Sequence, residues 1–308
     1  MTLIPSLPGR TPRFTVALAA TALVASLGAC SSDSGTESGD ASASATAPSV
    51  DASLAALVPE DIRAAGTLTV GTDTTYAPVD FLAEDGKTIQ GIDMDVLDAV
   101  AARLGLTVTY VSAPFDNIIP GVQSGKYDMG ASAFTVNPER EEVVNMISYL
   151  TAGTQWATAA GNPKGVNPDD ACGLVVAVQK GTVQVDDIEA RSKACTDAGK
   201  AAITIDQYQG QDQATASVVS SKSDAMLADS PVVAYAVQQS GGKLEALGEI
   251  YDAAPYGWVV PKDQTDFAKA LAGAAAAAAA DGSYQAALEK WGATAGAVQS
   301  FDVNPSTD

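Results

Sequence analysis

The sequence contains no histidine. That absence removes Ser-His-Asp and Cys-His nucleophile pairs, and every histidine-ligated metal centre, from consideration. Basic residues are scarce as well. Seventeen Lys and Arg stand against 37 Asp and Glu, a formal net charge of −20 over 308 residues. A nucleic-acid partner needs clustered cations to neutralise phosphates, so none is expected. The apolar stretch "FTVALAATALVASL" (14–27) is too short, and ends too abruptly, to span a bilayer. What is present is a 46 % share of hydrophobic residues, enough for one or two globular cores.

Arg10 and Arg13 precede that apolar stretch, which fits the charged and hydrophobic regions of a secretory signal. It runs into "LGAC" (27–30), which resembles the bacterial lipobox, where the cysteine is lipidated and becomes the new N-terminus. An ordinary signal peptide followed by an accidental cysteine is the alternative. "SSDSGTESGDASASATAPSV" comes next and has almost nothing to bury, so it cannot repay its ordering entropy. The expectation is a signal peptide over 1–29, a lipid on Cys30, a tether over 30–57, and a domain held at the outer face of the cell membrane. Cys172 and Cys195 remain. In an exported protein such a pair is expected to form a disulfide, worth roughly 3 kcal/mol by loop closure; free thiols are the alternative.

Ordered structure is expected from near Val58. "GTLTVGTD" (66–73) alternates apolar and polar residues and ends in turn formers, which predicts a strand over Leu68–Gly71. "GIDMDVLDAVAARLG" (91–105) reads as a helix, with Asp93 as N-cap and Leu97, Val100, Ala101 and Leu104 on one stripe. "LTVTYV" (106–111) predicts the next strand, and that order implies a parallel sheet. A short helix over "FDNIIPGVQSG", a strand over "YDMGASAF" and a helix opening at "NPEREEVV" follow. Beyond Gly161 the alternation resumes with strand "GLVVAVQ", loop "KGTVQ", helix "VDDIEARSKACTDAG" and strand "AAITID". A helix around "QDQATASVVSS", strand "DAMLAD" and helix "SPVVAYAVQQSGG" complete it, and a C-terminal helical pair breaks at Asp281–Gly282. Two α/β lobes are expected, 58–153 with 254–300 and 154–253 with the hinge strands, leaving 301–308 as a tail.

One cation stands in the wrong place. With Asn137 as N-cap and Pro138 first in the helix, Arg140 falls at the third helical position, where the dipole disfavours positive charge. An anion in front of it would explain the choice, because a helix start plus a guanidinium makes a bidentate carboxylate or phosphate site. A surface ion pair with a neighbouring glutamate is the other reading.

"GIDMDVLDAVAARL" resembles the signature of the extracytoplasmic solute-binding proteins that feed polar amino acid ABC importers. The likeness extends through "LTVGTDTTYAPVDF", "FDNIIPGVQSGKYDMG", "SAFTVNPER", "VAVQKGTVQ", "SDAMLADSPVVAY", "YGWVVPKD" and "DGSYQAALEKWG", in the family's order. It implies an α/β, two-lobed periplasmic-binding-protein-like (type II) fold with a ligand cleft between lobes. It implies a free polar amino acid, basic or amide, as ligand, an ABC permease as partner, a monomer, and no cofactor, metal or catalytic residue.

Carried over by position, the resemblance gives Arg140 the ligand's α-carboxylate, aided by backbone N–H groups at Thr135 and at the loop residue Val183. The α-ammonium falls to the Thr135 hydroxyl, the Ala133 carbonyl and Asp229. Tyr76 and Phe115 would wall the aliphatic stem. Asp73, with Ser132 and Gln179, would meet a distal polar group, unless Asp73 caps the turn after its strand. Trp156 at the hinge is read as packing. Two other readings stand beside this one. A cyclohexadienyl-dehydratase-like enzyme on the same fold would need a cleft carboxylate as general acid. A ligand-sensing lobe would act through a signalling partner.

Overall fold

The computed structural model describes residues 49–305. The signal peptide, Cys30 and most of the tether lie outside the described residues, as do 306–308. The chain enters through α1 (Ala52–Ala55) and α2 (Glu60–Ala65) and continues into β1 (Thr67–Thr72), β2 (Thr75–Tyr76), β3 (Asp80–Leu82) and β4 (Ile89–Gln90). Then come α3 (Ile92–Arg103), β5 (Thr107–Ser112), α4 (Ile118–Gln123), β6 (Met129–Gly130), α5 (Pro138–Val143) and β7 (Val144–Ala159). Next are β8 (Val175–Gln179), α6 (Val183–Asp197), β9 (Thr204–Tyr208), α7 (Gln211–Val219), β10 (Ala225–Asp229) and α8 (Ser230–Gln239). β11 (Leu244–Pro261), α9 (Thr265–Ala280) and α10 (Ser283–Lys290) close the fold.

Among the described residues the main sheet has eight strands in the order β5-β1-β6-β11-β7-β10-β8-β9. β1 is parallel to β5 and β6, and β8 is parallel to β9 and β10. The long strands β7 and β11 run antiparallel and join the two sets. β11 meets β6 at Val259–Gly130, whereas β7 meets β10 from Thr154 to Thr158. Their own register slips between Leu247 and Ala254, where both strands pass from one lobe to the other. The first lobe buries Leu68, Val70, Leu97 and Val100; the second buries Val178, Ile188, Leu227 and Trp156. Trp156 therefore packs. The disulfide Cys172–Cys195, with Cα atoms 5.6 Å apart, ties the segment before β8 to α6.

Several boundaries differ from the sequence reading for local reasons. The tether was expected to run to 57, but Asp51 caps α1 and Leu54 packs against the small Gly273 of α9, which seats that turn on the first lobe. Asp93 does not cap α3. Gly91 stands at that position with φ 145°, and Asp93 turns inward, fully buried. The strand expected over "YDMGASAF" shrinks to Met129–Gly130, because Ala133 turns to a left-handed φ of 50° and leaves the sheet direction. α6 starts at Val183, two residues early, which puts Val183 in the first helical turn instead of a loop. The tail is bound as far as it is described: Asp302 and Asn304 hydrogen-bond Ser148 and Met146 of β7.

Candidate functional site

Arg140 occupies the third position of α5 as expected, its N–H held at 2.8 Å by the Asn137 side chain. Its guanidinium makes no ion pair with the neighbouring glutamates. Nη1 donates to the Thr135 carbonyl at 2.8 Å, and Nη2 donates across the cleft to the Gly181 carbonyl at 3.1 Å. The group lies 5.5 Å from the Phe115 ring and 5.6 Å from Phe134, which stack on each other 4.7 Å apart. Two aromatic faces stabilise a cation and also dry its surroundings. Burial lowers the pKa of Arg140 to about 10, with the opposite charge of Asp229 acting to restore it.

Asp229 answers from the far side. It ends β10, directly before α8, and its side chain does not cap that helix. Gln184 Nε2 donates to Oδ1 and Tyr256 Oη donates to Oδ2, each at 2.7 Å, while the Asp229 N–H donates to Tyr76 Oη at 3.1 Å. Burial pushes this carboxyl up, and those donors, together with Arg140, pull it partly back. Gln184 also donates to the Thr154 hydroxyl at 3.0 Å, so the acid is anchored to the hinge. Thr135 bridges to Tyr256, which brings the Arg140 and Asp229 supports together on β11.

Asp73 is 2 % exposed, and its carboxylate is fully engaged. Oδ1 accepts the Thr75 N–H at 2.9 Å and its hydroxyl at 2.6 Å; Oδ2 accepts the Phe115 N–H and Gln179 Nε2, both at 2.9 Å. It caps the turn after β1 and at the same time bonds the opposite lobe through Gln179. Burial raises its pKa. Ser132 Oγ accepts the Asp73 N–H at 3.0 Å and donates to Asp80 at 3.3 Å, so its hydroxyl is directed beneath the site. Ala133 donates its N–H to Asp93 at 3.2 Å. Val183 opens α6 beside the buried Thr182, two residues beyond the Gly181 carbonyl that Arg140 reaches.

Hydrogen bonds thus link Asp73 to Gln179, Tyr76 to Asp229 and Arg140 to Gly181 across the lobes; Phe115 and Thr135 lie beside Arg140, Ser132 and Ala133 are buried beneath, and Val183 stands two residues beyond Gly181. Reading the sequence missed Gln184, Tyr256 and Phe134. The signal for Gln184 was a polar residue at the buried start of a helix; for Tyr256 it was the hydroxyl ahead of the apolar run "GWVV". Further contacts close the rim: Lys180 pairs with Asp116 at 2.7 Å, and Gln209 donates to the same carboxylate at 2.8 Å. Among the described residues no cluster suited to a metal ion occurs, and no helix is long and apolar enough to cross a membrane.

The sequence profile of the bacterial extracellular solute-binding proteins, family 3, matches residues 68–294. The arginine-binding protein ArgT of Corynebacterium glutamicum is 39 % identical over 252 residues, covering 82 % of each chain. The histidine-binding periplasmic protein of Escherichia coli is 26 % identical over 245 residues, 77 % of this chain and 89 % of the relative. An ancestral arginine-binding protein solved with arginine superposes with a TM-score of 0.67 at 31 % identity, over 73 % of this chain and 98 % of that one. The ancestral amino acid-binding protein AncCDT-1, a precursor of cyclohexadienyl dehydratase, gives a TM-score of 0.66 at 30 % identity, covering 75 % and 97 %.

Proposed function

This chain belongs to family 3 of the bacterial extracellular solute-binding proteins, and we propose that as the substrate-binding component of an amino acid importer it captures a basic L-amino acid, arginine first among them. The observation that carries this reading is the pairing of Arg140 with Asp229. One partly buried cation with only carbonyl acceptors faces one buried carboxylate across the cleft. A zwitterion answers both at once: carboxylate to Arg140, ammonium to Asp229, with Thr135, Ala133 and the Val183 N–H completing the shells. Tyr76 and Phe115 flank the stem, and Gln179 yields Asp73 to the ligand's distal cation. The lobes divide at 153/154 and 253/254, so closing the hinge assembles the site from both sides. The protein binds and releases without turnover, in contrast to a dehydratase, and hands its ligand to an ABC permease. It acts as a monomer tethered through lipidated Cys30.

The test is a melting-temperature panel of the refolded soluble chain with the common amino acids and ornithine. At a hundred times its Kd a ligand stabilises by about 2.7 kcal/mol. Arginine, or a close basic relative, is expected to shift the transition, and Arg140→Ala to abolish the shift. Silence across the whole panel refutes the reading.

A further inference from the structure

Below the cleft floor, Asp80 and Asp93 are held side by side: the Asp93 N–H donates to the Val79 carbonyl at 3.1 Å, and the adjacent residues Ser132 and Ala133 donate to Asp80 at 3.3 Å and to Asp93 at 3.2 Å. Both residues are 0 % exposed. Two carboxylates set this close together, away from water, cannot both be ionised at reasonable cost. The groups facing the pair are Asp73 and Tyr76 from the β1–β2 segment, Tyr149 from β7 and Tyr110 from β5, none of them a cation. The cations of the surrounding helices are occupied elsewhere: Arg103 with Asp281, Lys290 with Asp95 and Lys269 with Asp266.

The donors show where the shared proton sits. Asp93 takes the Tyr149 hydroxyl on Oδ1 and the Ala133 N–H on Oδ2. Tyr149 is fully buried and stacked on Trp258 at 4.7 Å, which fixes its phenol as a donor. Asp80 meets only the Thr72 and Ser132 hydroxyls, each at 3.3 Å. Asp93 accepts a backbone N–H and the phenol of a buried tyrosine, donors that cannot turn away, whereas the two hydroxyls on Asp80 can rotate to accept instead; the charge therefore belongs on Asp93 and the proton on Asp80.

We infer that Asp80 is a positioning residue that stays protonated at neutral pH and donates its proton to Asp93, and that this acid pair holds Ser132 and Ala133 in the shape the ligand site needs. Asp80 receives the Ser132 hydroxyl, whose oxygen orients the Asp73 N–H. Asp93 receives the N–H of Ala133, the residue at φ 50°, a conformation an L-residue adopts only when its surroundings impose it. The direction of both acids' pKa, raised by burial, agrees with one retained proton. The ligand half of this inference rests on the amino acid reading above; the proton half does not.

Urea unfolding of the wild type, Asp80→Asn and Asp80→Ala between pH 5 and 8 tests the proton. An Asp80 protonated when folded and ionised when unfolded releases one proton on unfolding. The ratio of the wild-type unfolding constant to that of Asp80→Asn is then expected to rise about tenfold per pH unit. Parallel curves overturn the inference. L-Arginine titrations at pH 7 test the positioning. Asparagine supplies the same donor without charge, so Asp80→Asn is expected to bind within a few-fold of wild type. Asp80→Ala leaves Asp93 and Ser132 short of a partner and is expected to bind about ten- to a hundredfold more weakly. Equal losses in the two variants overturn the positioning claim. A wild type that ignores arginine at every pH refutes the ligand reading, while the urea comparison still decides the proton.

Discussion

Arg140 is expected to be a liability to the free protein and an asset to the complex, and the two effects separate in one variant. Burial lowers its pKa from the usual 12.5 to about 10, so at ~1.4 kcal/mol per tenfold change in proton affinity the charged form is disfavoured by about 3 kcal/mol. Carbonyls of Thr135 and Gly181 offset that only in part. On the proposed reading, a ligand carboxylate supplies the missing charge. Losing one partner of such a desolvated pair costs about 2–5 kcal/mol, roughly thirty- to five-thousandfold in Kd. Arg140→Ala should therefore weaken arginine binding by that factor in calorimetric titrations. Its ligand-free melting temperature should change little, because the two carbonyls regain water while Asp229 loses an opposite charge but keeps its Gln184 and Tyr256 donors. Arg140→Lys keeps the charge without the planar fork and should fall between. Undiminished binding in Arg140→Ala would refute the assignment. A fall in ligand-free stability as large as the loss of binding would show instead that Arg140 is a structural strut.

Opening the Cys172–Cys195 loop by Cys195→Ser, whose partners are 23 positions apart, should destabilise by roughly 3 kcal/mol in denaturant titrations and leave the arginine Kd nearly unchanged. Tyr256→Phe removes a 2.7 Å donor from buried Asp229 and should cost about 1–3 kcal/mol of stability. That acid's folded pKa is raised, so its contribution to stability is greatest below the unfolded value near 3.8 and declines as pH rises toward the folded one. Losing the Tyr256 donor raises that folded pKa further, so the Tyr256→Phe deficit should grow as pH rises from near 3.8 through the folded pKa. Gly91→Ala should melt well below wild type, since a Cβ there collides with the Val79 carbonyl at a φ of 145°; an unchanged transition would contradict the packing of α3 against that turn.

The parallel strand–helix–strand units were legible because their periodicities were clean. Leu97, Val100 and Ala101 recur at helical spacing, and all three are fully buried. Arg140 was legible because it broke a local rule: a cation at the start of a helix demands a reason. Asp93 was misread for the opposite motive. An acid two residues after a glycine looks like a cap, and nothing local distinguishes it from one that turns inward toward Tyr149, a residue 56 positions away. The supports of Asp229 were hidden similarly. Gln184 and Tyr256 lie 45 and 27 residues from it, and only the hinge brings them together. Periodicity reports which face of an element is buried; it does not report which polar groups meet there.

The cross-cleft contacts share a property that bears on selectivity. Gln179 gives Asp73 a neutral amide, and Gly181 gives Arg140 a neutral carbonyl, so each charge is solvated by a dipole of the opposite lobe. Dipoles keep the buried ions from being stranded but leave their electrostatic demand largely unmet, as the raised pKa of Asp73 and the lowered one of Arg140 indicate. A ligand carrying full charges at both ends gains by exchanging with those dipoles. An uncharged distal group only replaces Gln179 with its like. Gln179 loses little in the exchange, because its Nε2 already reaches the Gln209 carbonyl at 3.2 Å. On the proposed reading, a preference for a basic over an amide side chain would arise from what the lobes offer each other, since the energy separating the two ligands is the difference between a charged and a neutral donor on Asp73.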